Sequence, residues 1–325
     1  MDERAAQSMT SAGPNPDRTE RVGLTLGPLL FNWSAEAIAE FYARIADEAP
    51  FDRVHVGEVV CSKREPLYRD ALAGAIERLE RAGKTVVLST LALVTTRRES
   101  AALAATAAAC DGLIEANDTS ALGALAARPH VIGPLINCYN EATLAFLAGN
   151  GAVTVCLPPE LPLPAIRILA ATARELGVGI EVFAFGRIPL AISARCYHAR
   201  VHGLSKDSCR YVCGQDMDGL AVETLDGQEF LAVNGLQTLS HAWCSYAGQL
   251  PALSDAGIGS VRLSPHSCDM VAVAGVFRDV LDGRIDASAA EACLARLVPG
   301  AAFANGYLHS QPGIAFRPAD SFAAE

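Results

Sequence analysis

The 325-residue sequence predicts an α/β fold, a TIM-barrel-like (β/α)8 barrel with a cysteine-bearing insertion between its last two strands. Three observations lead there. Eight short runs rich in Val, Ile and Leu are nearly continuous in hydrophobicity, the pattern of strands buried on both faces. Longer Ala/Leu/Arg/Glu stretches of helical period separate them, which argues parallel βαβ units; eight such units close a barrel. The repeat then fails once, before the eighth run.

In order, the runs are Val22–Leu29, Val54–Val60, Val86–Leu91, Gly112–Ala116, Val131–Asn137, Val153–Leu157, Gly179–Phe185 and Ile258–Ser264. Between them lie amphipathic segments at Ala35–Glu48, Pro66–Ala82, Arg97–Ala109, Ser120–Ala127, Glu141–Leu147 and Pro164–Leu176. Residues Ile188 to Ser240 contain no barrel helix. Ser193 to Asp218 mixes cysteines with charges of both signs, and Ala221–Leu225 and Glu229–Val233 alternate around Asp226-Gly227, a good two-residue hairpin turn. His241–Leu250 reads as a helix leading to the eighth strand. Such an insertion hangs on the C-terminal rim, where barrel enzymes place their chemistry. An open doubly wound sheet is the competing fold, but no GxGxxG follows the first run, so a dinucleotide site has no support. The expected organisation is a frayed tail at 1–20, one barrel domain at 21–318 with its insertion at 188–240, and a tail at 319–325.

Composition narrows the function classes. The chain is 51% hydrophobic and 19% charged with a mean hydropathy of +0.24, enough for a sizeable core and incompatible with global disorder. Twenty-six basic against thirty-six acidic residues give a net charge of −10 and no basic stripe, which disfavours a nucleic acid partner. The uncharged stretch Ala142 to Pro159 is broken by Gly149-Asn150-Gly151 and closed by Pro158-Pro159, so no transmembrane segment is expected. The first twenty residues lack the apolar segment of a secretory signal, and a cytoplasmic location is expected.

Ten cysteines in a reducing compartment mean packing, redox chemistry or metal. Cys209 and Cys213 are four apart, the spacing of one helical turn, and Cys196 precedes them among Arg195, His198, Arg200, His202, Lys206 and Arg210. Such cations lower thiol pKa values and offset the charge of a thiolate centre. Cys61 ends the second strand, and on a barrel the ends of strands two and seven open onto the same face. Four thiolates from two segments therefore have a way to converge. A tetra-thiolate set suits structural zinc or an iron–sulfur cluster, no CxxC knuckle occurs, and spacing alone leaves zinc, a cluster and unrelated cysteines all open. The other six read as small hydrophobes, with Cys138 and Cys268 nearest the rim.

Three segments carry a resemblance. Leu26 to Trp33 (LGPLLFNW), Gly57 to Arg64 (GEVVCSKR) and Phe183 to Cys196 (FAFGRIPLAISARC) resemble the collagenase-like peptidase family, in its branch acting in oxygen-independent ubiquinone biosynthesis. The match runs from about Val22 to about Pro318. The resemblance implies one [4Fe–4S] cluster on four cysteines: Cys196, Cys209 and Cys213 keep the family's spacing, and Cys61 sits in the motif of the fourth. It also implies a heterodimer with a UbiU-like paralogue, a sterol-carrier-like lipid-binding protein, and hydroxylation of the quinone precursor's ring without molecular oxygen, with prephenate as hydroxyl donor. Relatives hydroxylate RNA bases; the acidic balance here fits the small-molecule branch better. A third possibility is a non-catalytic, cluster-bearing partner of the paralogue.

Polar residues at strand ends supply the candidate pocket: Glu58, Asn117, Asn137 and Arg187, with Asn32, Asp118, Tyr139 and Ser264 nearby. Arg187 stands out because a planar guanidinium fork suits a dicarboxylate; the alternative is a structural ion pair or cap. Asn117-Asp118 reads equally as the N-cap of the next helix, and Glu58 as an ion-pair partner of Lys63. Catalytic residues are not assigned. No HExxH and no nucleophile–base–acid pattern occurs, so the family's peptidase label has no chemical support in this chain.

Overall fold

The computed structural model describes residues 21–319; the expected tail at 1–20, and all but the first residue of that at 319–325, lie outside the described residues. In chain order the strands are β1 (Gly23–Leu26), β2 (Arg53–Val56), β3 (Thr85–Ser89), β4 (Leu113–Ala116), β5 (His130–Ile132), β6 (Ala152–Leu157), β7 (Gly179–Ile192), β8 (Leu220–Glu223), β9 (Glu229–Asn234), β10 (Gln237–Ser245), β11 (Ser260–Leu263) and β12 (Phe303–Ala304). β1 through β7 pair in sequence and in parallel, and β11 pairs in parallel with both β7 and β1. That closes a barrel of eight parallel strands, the (β/α)8 fold. Val54, Val56, Val87, Val131, Val155 and Val261 are wholly buried in it.

The helices are α1 (Ala35–Glu48), α2 (Glu65–Arg81), α3 (Arg97–Ala109), α4 (Thr119–Ala124), α5 (Glu141–Gly149), α6 (Leu163–Leu176), α7 (Tyr197–Val201), α8 (Leu250–Asp255), α9 (Met270–Leu281) and α10 (Ala287–Leu297). Local signals set their ends. Ser34 caps α1, Thr96 and Glu99 form a reciprocal capping box on α3, and Gly177 ends α6 in the left-handed conformation. On α1, Ile38, Tyr42 and Ile45 repeat at helical spacing and are buried, each burial worth on the order of 1.5–3 kcal/mol. Among the described residues no helix is long and apolar enough to cross a membrane.

Two features depart from the sequence pattern. Of the helix expected at His241–Leu250, His241–Ser245 is instead the end of β10 and Ala247–Gln249 a 3-10 turn; only from Leu250 does α8 begin, with Pro251 in its first turn. Pairing explains this. Trp243 lies between Arg187 of β7 and Phe303 of β12, and Thr238 to Ser240 pair with β9, so ladder partners override the local helical pattern. The second departure is β7 itself, which runs past the barrel. Phe185 pairs with Leu263 in parallel and with Ser245 antiparallel; beyond it β7 belongs to the insertion's sheet with β10, β9 and β8. At Gly186 the backbone turns out at φ 112°, where a Cβ would lie 2.7 Å from the His266 ring and 2.8 Å from Ser264 Cβ. The Asp226-Gly227 hairpin between β8 and β9 forms as expected.

Charges are buried inside the barrel. Arg262 places Nη1 2.6 Å from Glu115 and Nε 2.6 Å from Glu181, and His55 lies 3.3 Å from Glu115. Burial alone would raise both carboxyl pKa values; Arg262, His55 and the hydrogen bonds around them together outweigh it, holding Glu115 well below the usual range and Glu181 at about 2.

Candidate functional site

The first half of the site follows β2. Gly57 sits at φ 143°, where a Cβ would come 2.5 Å from the Ser89 carbonyl oxygen, so only glycine lets the chain pass β3. The loop then wraps around the buried Glu58 carboxylate, which accepts from the N–H groups of Val60 (2.6 Å) and Cys61 (2.8 Å) and from the Tyr68 hydroxyl. Cys61 is thereby fixed through its backbone. Glu58 does not pair with Lys63, as the sequence suggests: the ammonium reaches across to the carbonyls of Lys206 (2.8 Å) and Asp207 (3.3 Å), tying this loop to the insertion.

The insertion supplies the other half. Cys196 caps α7, its sulfur accepting from Ala199 N–H at 3.4 Å and lying 3.3 Å from the Gly235 carbonyl. Cys209 and Cys213 are not stacked on a helical turn, as their spacing suggests. Arg210 and Tyr211 both adopt positive φ (49° and 55°), and a short 3-10 turn begins only at Val212. Two consecutive left-handed residues reverse the chain between the thiols, at a cost of about 1–2 kcal/mol each. Cys61, Cys196, Cys209 and Cys213 all line one small cavity on the C-terminal rim.

Behind that cavity lies Arg64, 1% exposed, which donates to the Leu30 carbonyl (3.2 Å) and to Asn234 Oδ1 (2.6 Å). Gly235, at φ 68°, makes room for it, since a Cβ there would meet the guanidinium at 2.2 Å. Asn32 Nδ2 lies 3.4 Å from the Cys213 sulfur. Burial pushes the Cys61 and Cys196 thiols up, further than the neighbouring cations pull them down. These two thiols are therefore held protonated, and a soft cation bound in the cavity would replace their protons, leaving thiolates with Arg64, Lys63 and Lys206 close by. Four thiols in one cavity with cationic and N–H neighbours fit a tetra-thiolate centre, whether zinc or an iron–sulfur cluster.

The other cysteines lie elsewhere. Cys138, Cys156 and Cys244 are fully buried, Cys110 ends α3, Cys268 lies 3.6 Å from the Met270 sulfur, and Cys293 takes a contact from Arg296 at 3.1 Å.

The four polar pocket candidates do not converge. Glu58 holds the Cys61 loop. Asn117 is buried and donates to the Thr90 carbonyl (3.2 Å) and to Glu115 (2.9 Å), while Asp118 caps α4. Arg187 donates to the carbonyls of Ser240 (3.1 Å) and His241 and lies 5.6 Å over the Trp243 ring; burial lowers its pKa against the pull of Asp218 and Glu229. Asn137 alone is exposed, in a rim cavity of about 210 Å³ with Glu160, Pro189 and Ile192. Arg64 was not singled out from sequence. It follows Lys63 at the start of an amphipathic helix and reads as a solvated flank; its burial depends on Gly235, 171 positions away.

Solved structures similar to the chain are barrels of low identity. A dihydrodipicolinate synthase from Agrobacterium tumefaciens is 17% identical over 85% of this chain and 80% of its own, with a TM-score of 0.43. A truncated 3-deoxy-D-arabino-heptulosonate 7-phosphate synthase from Thermotoga maritima is 10% identical over 75% of each chain, with a TM-score of 0.37. An isomerase from Streptomyces coelicolor is 14% identical over 51% of this chain, at a TM-score of 0.36, and the chain spans about half (49%) of that isomerase. At such scores the fold rests on the strand order. The sequence itself matches peptidase family U32 across residues 33–316, from the first barrel helix to beyond the last, with all four cavity cysteines inside the match. The chain belongs to peptidase family U32.

Proposed function

We propose that the chain is a UbiV-like iron–sulfur subunit of an oxygen-independent hydroxylase, acting with a UbiU-like paralogue on the aromatic ring of the ubiquinone precursor. One observation carries the reading: Cys61, Cys196, Cys209 and Cys213 meet in one rim cavity backed by the buried Arg64. Four thiolates match the corners of a [4Fe–4S] centre, which when bound would supply one-electron transfer. The chain's own residues would hold it. Glu58 fixes the Cys61 backbone, Asn32 offers an N–H to the Cys213 sulfur, and Arg64 offsets negative charge from the dry side. The cytoplasmic setting, the sterol-carrier-like lipid protein and prephenate as hydroxyl donor belong to the same proposal.

A second reading, in which this chain is a non-catalytic cluster-bearing partner, has its own support. Glu58 and Asn117 are engaged within the fold and Arg187 commits Nη1 to the Ser240 and His241 carbonyls, leaving Asn137 as the one exposed member of the candidate pocket. Anaerobic co-expression with the paralogue tests the first point. About four irons and four sulfides per chain are expected, and one zinc without sulfide would overturn the cluster. Hydroxylation assays with rim variants in each subunit then decide which chain does the chemistry.

A further inference from the structure

The segment that carries three of the cavity cysteines holds a second donor set, which the thiol cavity does not use. His198 and His202 stand one turn apart at α7, their rings stacked with centroids 5.4 Å apart. His198 is fully buried, and its Nδ1 lies 3.2 Å from the Val233 carbonyl oxygen. A carbonyl only accepts, so Nδ1 carries the proton and Nε2 presents a lone pair. That Nε2 has no hydrogen-bond partner, yet it faces Asp216 Oδ2 at 3.1 Å. Two acceptors thus confront each other, the imidazole fully buried and the carboxylate half-buried, an arrangement that needs a positive charge between them. A ring nitrogen of His202 completes the set, with all three ligand atoms within 4.8 Å of one another.

We propose that His198, His202 and Asp216 form a divalent metal site of the zinc class, distinct from the four-thiol cavity and independent of what that cavity holds. The geometry agrees with ordinary coordination. Bonds of about 2.0–2.1 Å in a tetrahedron separate donor atoms by about 3.3 Å, close to the His198–Asp216 distance. His202 is exposed and free to close the remaining gap by rotation. The surroundings have the form found behind metal ligands: His198 is oriented by a backbone carbonyl, and Asp216 is steadied through its own carbonyl, which accepts from Asn234 Nδ2 at 2.8 Å. Two imidazoles and a carboxylate suit Zn²⁺ or Co²⁺ and lack the sulfur an iron–sulfur centre needs. An ion there would tie α7 to the segment just after the turn at Val212–Gln215, and so link the elements that carry Cys196 and Cys213.

The test uses the full chain, stripped of loosely held metal and titrated with Zn²⁺ and Co²⁺. A Cys61→Ser/Cys209→Ser variant removes thiolate binding; His202→Ala and Asp216→Asn, at positions open to solvent, remove the proposed ligands. The cysteine variant is expected to keep one zinc with only nitrogen and oxygen neighbours by X-ray absorption, and its cobalt form to lack sulfur-to-metal charge transfer. His202→Ala and Asp216→Asn should each lose that ion while keeping the metal bound by the cysteines, which also reports that they fold. If the cysteine variant binds no zinc, the corner holds only a proton and the proposal fails. It fails equally if His202→Ala binds zinc as the parent does.

Discussion

Replacing Glu58 by alanine separates a residue that builds the cysteine site from one that acts on a substrate. Its carboxylate accepts three hydrogen bonds, from the buried Val60 N–H, from the part-buried Cys61 N–H and from the buried Tyr68 hydroxyl. Each orphaned buried donor costs about 1–3 kcal/mol, and the Cys61 N–H, nearer solvent, sits at the low end. The sum is about 3–7 kcal/mol, or a drop of about 10 °C or more in melting temperature for a domain of this size. Glu58→Gln keeps an oxygen for the two N–H groups and needs only a rotation of the Tyr68 hydroxyl, so it should cost about 1 kcal/mol. The assay is thermal unfolding by circular dichroism together with iron content after anaerobic reconstitution. Glu58→Ala should lose both stability and iron, and Glu58→Gln should keep most of each. Unchanged melting and iron content in Glu58→Ala, with hydroxylation abolished, would refute the reasoning and make Glu58 a catalytic group.

Four further outcomes are expected. Cys209→Ala should abolish iron binding because it leaves one corner without a thiolate, whereas Cys293→Ala should change iron content little; the reverse result would remove the ligand assignment. Glu115 and Glu181 titrate below their unfolded values, so the stability they contribute is full above about pH 4.5 and drains away as pH falls toward 2; melting temperatures measured across that window should decline. Arg262→Met strands both carboxylates, at about 3–5 kcal/mol near neutrality, and should invert the trend so that the variant recovers relative stability in acid; parallel pH profiles would contradict this. Gly57→Ala drives a Cβ against the Ser89 backbone and should yield little folded protein, as judged by soluble expression and circular dichroism.

The barrel was legible because its strands are short apolar blocks and its helices carry their own caps. Ala35–Glu48 and Arg97–Ala109 match α1 and α3 end for end, with Ser34 and Thr96 marking their starts. β10 was not legible: Gln237–Ser245 has partners on β7, β9 and β12, and no window of nine residues contains those partners. The Cys209–Cys213 spacing misleads for a related reason. A gap of three residues fits a helix, but Arg210 and Tyr211 take left-handed conformations that their side chains do not announce. Buried charge was missed most completely. His55, Glu115, Glu181 and Arg262 each sit in or beside apolar runs, and only barrel closure reveals that they meet.

The way β7 crosses from barrel to insertion decides how the cysteine cavity can be filled. One continuous backbone, bent at Gly186, joins the two, and the antiparallel ladder to β10 extends the barrel's own sheet. The insertion therefore has no axis on which to swing as a lid. The α7 end is anchored, with Cys196 and Ala199 packed against Leu30, Val59 and Val60 and His198 bonded to the Val233 carbonyl. What is tied mainly by side-chain hydrogen bonds is the stretch from Ser205 to Asp218, held by Lys63 on Lys206, Asn234 Nδ2 on the Cys213 and Asp216 carbonyls, Trp33 Nε1 on the Met217 carbonyl at 2.8 Å, and Ser267 on Asp218. Cys209 and Cys213 ride on that strip, and Cys61 and Cys196 stand on anchored elements. Loading is then a peeling and resealing of one strip against a fixed anchor, with amide exchange fast along it and slow in β7 a few residues away.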